Sequence, residues 1–158
     1  MPKARTSLKA EQDDLRSRMR TLGLGYDEIA AEFSRRYRLR PRAAWRHAYG
    51  WTLKQAADQI NTFTARAGMD PDGKAGMTGP HLCEHEQWPA KSGRKPTPQV
   101  LTLLAHVYDT DIHRLLDLDD YEHLSPADLL LLNKSDSQTS RRLHASVPLR
   151  GPLSAKLG

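Results

Sequence analysis

The chain has 158 residues, a mass of 17.8 kDa and a formal net charge of +5, a size that allows one compact domain with appendages. Hydrophobic residues make up 38% and aromatic residues 6%, which predicts a small core with polar or disordered flanks. The single cysteine excludes an internal disulfide, no apolar run reaches the ~18 residues that cross a bilayer, and the first residues lack the apolar segment of a secretory signal. We therefore expect a soluble, cytoplasmic protein with no membrane partner.

Charge is distributed unevenly along the chain. Residues 34–47 hold six arginines and no acid, whereas residues 109–128 hold seven acids and a single arginine. Clustered arginines favour nucleic-acid binding, so we interpret the basic segment as the working surface. The acidic residues around 117–122 lack the spacing of an EF-hand loop, and we expect a solvated turn there.

Apolar spacing in the first part of the chain predicts successive helices. Residues 1–21 are charged and hold few large apolar side chains, which indicates a mobile arm or a loosely held helix. An amphipathic helix is predicted to begin at residue 26 and to end at Arg40-Pro41. A second short helix is predicted from Pro41 to about Tyr49. Gly50 ends that helix and Thr52 caps the next one.

The second part of the chain continues the helical pattern with no strand alternation. The Gly-, Pro- and Asp-rich residues 68–76 are predicted to be a loop, and Thr78 and Thr97 each precede a helix as N-caps. The sequence SPAD at 125–128 has the form of a capping box before four leucines. Residues 134–158 have no period and are predicted to be disordered.

The stretch GMTGPHLCEHEQWP (76–89) concentrates potential metal ligands. His81 and His85 would share one helix face, but Cys83 would point to the other side, and the H-E-x-x-H spacing of zinc enzymes is absent. We expect Cys83 to be a small buried or half-buried residue. No nucleophile or phosphate-cradling loop can be recognised elsewhere. The sequence therefore predicts no metal, no cofactor and no enzymatic activity.

From about residue 40 to 117 the chain resembles the lambda-repressor-like, XRE-type helix-turn-helix regulators, in a form common among actinobacterial proteins. The resemblance rests on GWTLKQAADQIN (50–61), GMTGPHLCEHEQWP (76–89) and RKPTPQVLTLLAHVYDTDIHRLLD (94–117). It implies an all-α, small multi-helix bundle with an enlarged turn and flexible termini. The helix-turn-helix domain would span 22–133, with a family-like core at 40–117.

The family pattern assigns a role to each matching position. The first stretch would be the supporting helix, opened by Gly50 and Thr52 and carrying Ala57 beneath its neighbour. The second would be the recognition helix, with Leu82 facing inward and Glu86 bonded within the domain. This chain departs from the family by about fifteen extra residues at 62–76 and by Leu53 where a glutamine is usual.

The resemblance implies a sequence-specific transcriptional regulator that reads double-stranded DNA in the major groove, with a helix starting near Thr78. Lysines and arginines around that helix would neutralise phosphates. The candidate DNA-binding residues are Thr52, Lys54, Thr78, Gly79, Pro80, His81, Glu84, His85, Lys91, Arg94 and Lys95.

Two alternatives remain open from the sequence. In the first, the basic helix from Arg42 to Tyr49 enters the groove, and Arg42 and Arg46 contact DNA. In the second, the same fold serves as a protein-interaction adaptor that binds a partner through the 62–76 insertion or the C-terminal leucines. A homodimer is a further expectation, because repressors commonly read two half-sites as dimers.

Overall fold

The computed structural model describes residues 7–68 and 76–134, and within these ranges the chain is helical with no strand. The all-α prediction is confirmed for this part of the chain. The predicted tail beyond residue 134 and most of the predicted loop at 68–76 lie outside the described residues. The helices are α1 (Leu8–Thr21), α2 (Tyr26–Tyr37), α3 (Pro41–Tyr49), α4 (Leu53–Ala67), α5 (Gly79–Gln87), α6 (Pro98–Val107), a 3₁₀ helix (Ile112–Leu115), α7 (Leu118–Glu122) and α8 (126–134).

Side-chain caps start the helices where the sequence predicts them. The Thr52, Thr78 and Thr97 hydroxyls each accept a hydrogen bond from a backbone N–H in the first turn of the following helix. Ser125 and Asp128 form the reciprocal bonds of a capping box at the start of α8, each 3.1 Å long. Each cap stabilises its helix by about 1 kcal/mol, which makes these boundaries readable from local sequence alone.

The helices surround one apolar core to which α1 also contributes. Leu15 and Met19 of α1 are buried, and the Arg16 guanidinium donates to the His47 carbonyl at 2.9 Å. The first helix is therefore docked against α3 rather than loosely held. Other large core side chains are Ile29, Phe33, Trp45, Ile60, Leu82, Leu101, Leu104, Ile112 and Leu115.

The C-terminal part of the described chain differs from the predicted solvated turn. Residues 118–122 form α7, capped by Asp117, and Asp120 is fully buried. In α8 only one of the four leucines, Leu132, is buried, while Leu130 and Leu131 are exposed. Within the described residues, no helix has both the length and the apolar character required to cross a bilayer.

Candidate nucleic-acid interface

The start of α5 lies on the surface beside the start of α4. A Cβ atom placed on Gly79 would lie 3.6 Å from the Leu53 Cβ and 3.8 Å from the backbone nitrogen of Lys54. The two helix N-termini therefore approach closely. Thr78 and Thr52, which cap them, are both exposed. Because helix N-termini carry partial positive charge and unpaired N–H groups, this pair of ends favours anions.

Asn61 in the middle of α4 fixes the approach of the chain to α5. Its side-chain oxygen accepts from the Met77 N–H at 2.7 Å, and its side-chain nitrogen donates to the Met77 carbonyl at 2.9 Å. α4 itself extends to Ala67, so the first residues of the predicted insertion at 62–76 lengthen α4. Asn61 was not predicted as a site residue, because a polar residue within a helix carries no local signal of such a contact.

The outward face of α5 carries the side chains that a partner would meet. Pro80 and His81 are exposed in the first turn, Glu84 is half-buried, and Gln87 is exposed at the end of the helix. Gln87 was not among the predicted contacts, although its position three residues after Glu84 places it on the same face. It donates to the Cys83 sulfur at 3.2 Å and accepts from the Ser92 hydroxyl at 2.6 Å.

On the inward face of α5, one residue that was predicted to contact DNA is buried, and two residues occupy the inward positions predicted for them. Leu82 is fully buried as predicted. His85 is also buried, and its Nδ1 lies 3.2 Å from the Arg94 carbonyl to which it donates. Burial is the main cause of its lowered pKa, so the ring is a neutral structural group rather than a DNA contact. Glu86 bonds within the domain, as predicted, through Arg46.

Arg46 and Arg42 of α3 point into the protein, against the alternative in which α3 enters the groove. Arg46 forms a two-pronged ion pair with Glu86, at 2.7 and 3.0 Å, and donates to the Trp51 carbonyl. Its side chain is 11% exposed and that of Glu86 is 6% exposed. Such forked carboxylate pairing uses the planar geometry of the guanidinium and leaves few donors for another partner.

Arg42 is fully buried at the junction of several elements. Its guanidinium forms a forked pair with Asp120, at 2.9 and 3.1 Å. It also donates to the carbonyls of His85, Leu115 and Trp88. Arg42 therefore ties α3 to the last turn of α5, the 3₁₀ helix and α7, and it is removed from the candidate DNA contacts.

Most other arginines of the basic segment are also paired within the protein. Arg35 and Arg36 share Glu32, and Arg40 pairs with Asp119 at 3.1 Å. Arg38 is exposed and makes no ion pair with a described residue. The basic and acidic segments are thus brought together in the fold, and the basic segment is not one uniformly free cationic surface.

The predicted phosphate-binding cations around α5 are exposed but differ in their partners. Lys54 pairs with Asp58 one turn along α4 at 3.2 Å. Lys95 pairs with Asp128 at 2.9 Å, and Lys91 is exposed in the loop after α5.

Arg94 lies in the same loop, next to Glu84 on the outward face of α5. Its Nε is 3.7 Å from a Glu84 oxygen, and the two side chains are 64% and 41% exposed. Exposed ion pairs of this kind contribute at most about 1 kcal/mol to stability. Arg94, Lys54 and Lys95 can therefore exchange their carboxylate partners for phosphates.

Gly93 closes the turn that brings this loop back to α5. A Cβ atom at Gly93 would overlap the backbone of Trp88, including its Cα at 2.5 Å. Glycine is therefore required there by close approach of the backbone. Within the described residues, no three His, Cys, Asp or Glu side chains are grouped to hold a metal ion.

No protein-family model, curated protein or solved structure matches the chain.

Proposed function

We propose that the chain is a sequence-specific DNA-binding transcriptional regulator of lambda-repressor-like type, with α5 as the helix that reads the major groove. The observation that carries this proposal is the exposed first turn of α5 beside the N-terminus of α4. Pro80 and His81 project from a surface where two Thr-capped helix ends meet. A helix of this size fits the major groove, and its N-terminal residues are the ones that reach base edges.

Specificity would come from a small set of side chains on the outward face of α5. His81 can donate to a base acceptor or a phosphate, and Glu84 can accept from the cytosine amino group. Gln87 can form paired bonds to adenine once its contact with Ser92 is exchanged. The buried face of the same helix, held by Arg42 and Arg46, would keep these side chains in a fixed register.

Affinity would come mainly from cations that neutralise phosphates near α5. Lys54, Lys91, Arg94 and Lys95 are the exposed candidates. Because each neutralised phosphate releases counterions, binding to duplex DNA should weaken steeply as the salt concentration rises. A response that is flat in salt would contradict the proposal.

The decisive experiment is selection of preferred duplexes from a random pool by the full-length protein, repeated with His81→Ala. We expect the wild type to select a defined sequence and His81→Ala to lose about 1–3 kcal/mol of discrimination at one position. His113→Ala is the matched control, since His113 is an exposed histidine on the 3₁₀ helix. Selection of no sequence by the wild type would exclude specific reading.

One observation favours a second function, that of a protein-interaction adaptor. Leu130 and Leu131, which are neighbours on α8, are 72% and 53% exposed, and adjacent exposed apolar side chains that form one patch are typical of partner contacts. In that case, replacement of the leucines would disrupt assembly, while duplex DNA would bind no more tightly than other polyanions.

A further inference from the structure

A groove of about 320 Å³ lies between the α2–α3 corner and the side of α5. Arg38 and Arg40 from the corner and Arg46 from α3 line one wall. Cys83 and Gln87 of α5 lie on the opposite wall. The volume is at the lower end of the range of about 300–1,000 Å³ found for small-molecule sites, so the groove can hold a compact ligand.

The charge of the lining favours an anion. The groove has three guanidinium groups and one carboxylate, and that carboxylate, on Glu86, is already paired with Arg46. Arg38 is exposed and has no ion-pair partner among the described residues. The Arg40–Asp119 pair is partly exposed at 32% and 50%, so it can open at little cost.

His47 also lines the groove, and burial is the main influence on its pKa. Burial, followed by the nearby charges of Arg46 and Arg16, lowers the pKa of His47 to about 4. The ring is therefore neutral near pH 7, and its Nε2 lies 3.4 Å from the Arg46 guanidinium. The positive charge in the groove belongs to arginines, which stay charged at every physiological pH.

We propose that this groove binds a small phosphate-bearing molecule. The planar fork of an arginine side chain matches phosphate oxygens, and two arginines at one corner can meet two oxygens of a dianion. Because Arg38 is exposed, its guanidinium is free to make the first contact with the phosphate. The site goes beyond the proposed DNA-reading function and does not depend on it, because Arg38 and Arg40, which would hold the phosphate, are not among the proposed DNA contacts.

Cys83 gives a direct readout, because it lines the groove and is the single cysteine of the chain. The rate at which a neutral maleimide alkylates Cys83 in the full-length protein would be measured with rising pyrophosphate at constant ionic strength. We expect saturable protection, with a roughly tenfold lower rate at about ten times the dissociation constant.

Arg38→Asn and Arg35→Asn form a matched pair of variants. Asparagine suits the left-handed backbone of Arg38, where φ is 55°, whereas Arg35 lies outside the groove with a side chain that is 70% exposed. Protection should disappear in Arg38→Asn and persist in Arg35→Asn. Absence of protection in the wild type, or equal protection in both variants, would overturn the proposal.

Two further measurements of Cys83 protection identify the source and the chemistry of the anion. Protection by a mixed-sequence duplex but not by pyrophosphate would mean that DNA phosphates fill the groove, and the small-molecule site would be rejected. Acetate at the same ionic strength should protect much less than pyrophosphate. Equal protection by acetate would reject the phosphate class.

Discussion

Burial changes what a charged residue can do, and Arg42 is the strongest example in this molecule. Its donors are directed to Asp120 and to backbone carbonyls of α5 and the 3₁₀ helix. Taking two charges out of water is costly, and the forked geometry with extra carbonyl acceptors offsets that cost. Arg42 therefore contributes to the fold and positions α5, although its sequence context is that of a nucleic-acid-binding residue.

Arg42→Ala should destabilise the protein by about 3–5 kcal/mol, because it leaves the buried Asp120 carboxylate unpaired. Urea unfolding followed by circular dichroism measures the loss. Arg36→Ala is the matched control, since its pair with Glu32 is partly exposed and should contribute no more than about 1 kcal/mol. Equal losses in the two variants would show that the buried pair has no special role.

Tyr108 carries a buried hydroxyl that has no hydrogen-bond partner among the described residues, and burial is the main cause of the raised pKa of its phenol. Tyr108→Phe should leave the free energy of unfolding unchanged or raise it, because the removed group makes no compensating bond. Tyr49→Phe is the control, since the Tyr49 hydroxyl donates to the Tyr108 carbonyl at 2.6 Å. Removal of this hydrogen bond should lower the free energy of unfolding by about 1 kcal/mol. A larger decrease in Tyr108→Phe than in Tyr49→Phe would contradict the prediction.

The lowered pKa of His47 predicts a pH dependence of stability. Between the ordinary value of 6.5 and the folded value of about 4, the unfolded chain binds a proton that the folded protein does not. The contribution of His47 to stability is therefore fully present above pH 6.5 and is lost as the pH falls toward 4. Melting temperatures of the wild type should fall across this window more steeply than those of His47→Gln, and parallel curves would refute the assignment.

At the scale of secondary-structure elements, α5 is held at both ends by other parts of the chain. Asn61 bonds the residue that leads into it, while Arg42 and Arg46 bond its last turn and Glu86. A short helix is marginally stable by itself, so its position depends on such packing. This two-ended attachment leaves the outward face of α5 exposed in a defined orientation.

The turn after α5 should be intolerant of any side chain at Gly93. Gly93→Ala places a Cβ against the Trp88 backbone and should cost about 1–3 kcal/mol through overpacking. Gly79→Ala is the matched control, because its Cβ would meet the Leu53 Cβ at an ordinary 3.6 Å and the helix gains propensity. Thermal unfolding compares the two, and an equal effect would mean that the turn relaxes freely.

At the scale of the whole molecule, ion pairs join segments that are far apart in sequence. Arg42 and Asp120 are 78 positions apart, and Arg40 and Asp119 are 79 apart. α1 and α2 add Leu15, among others, to the core. The stretch from 40 to 117 that resembles helix-turn-helix regulators therefore lacks contacts on which its own buried residues depend.

A fragment of residues 40–117 should consequently fail to unfold cooperatively, because Arg42 would be buried without Asp120 and the core would lack Ile29 and Phe33. Circular dichroism during heating tests this against the full-length chain. Leu118→Ala in the full-length chain serves as the control, since Leu118 is 72% exposed and its removal should leave the transition intact. A cooperative transition in the fragment would show that the stretch is autonomous.

The sequence by itself determined the helical class and the capped starts at Thr52, Thr78 and Thr97. These features follow from apolar periodicity and first-turn hydrogen bonds, which act over only a few residues. Only the tertiary structure decided that Arg42 and His85 are buried, that Asp120 is no solvated acid, and that Asn61 and Gly93 fix the surroundings of α5. Those outcomes depend on partners distant along the chain, and a charged side chain carries no local sign of whether an opposite charge will meet it in the core.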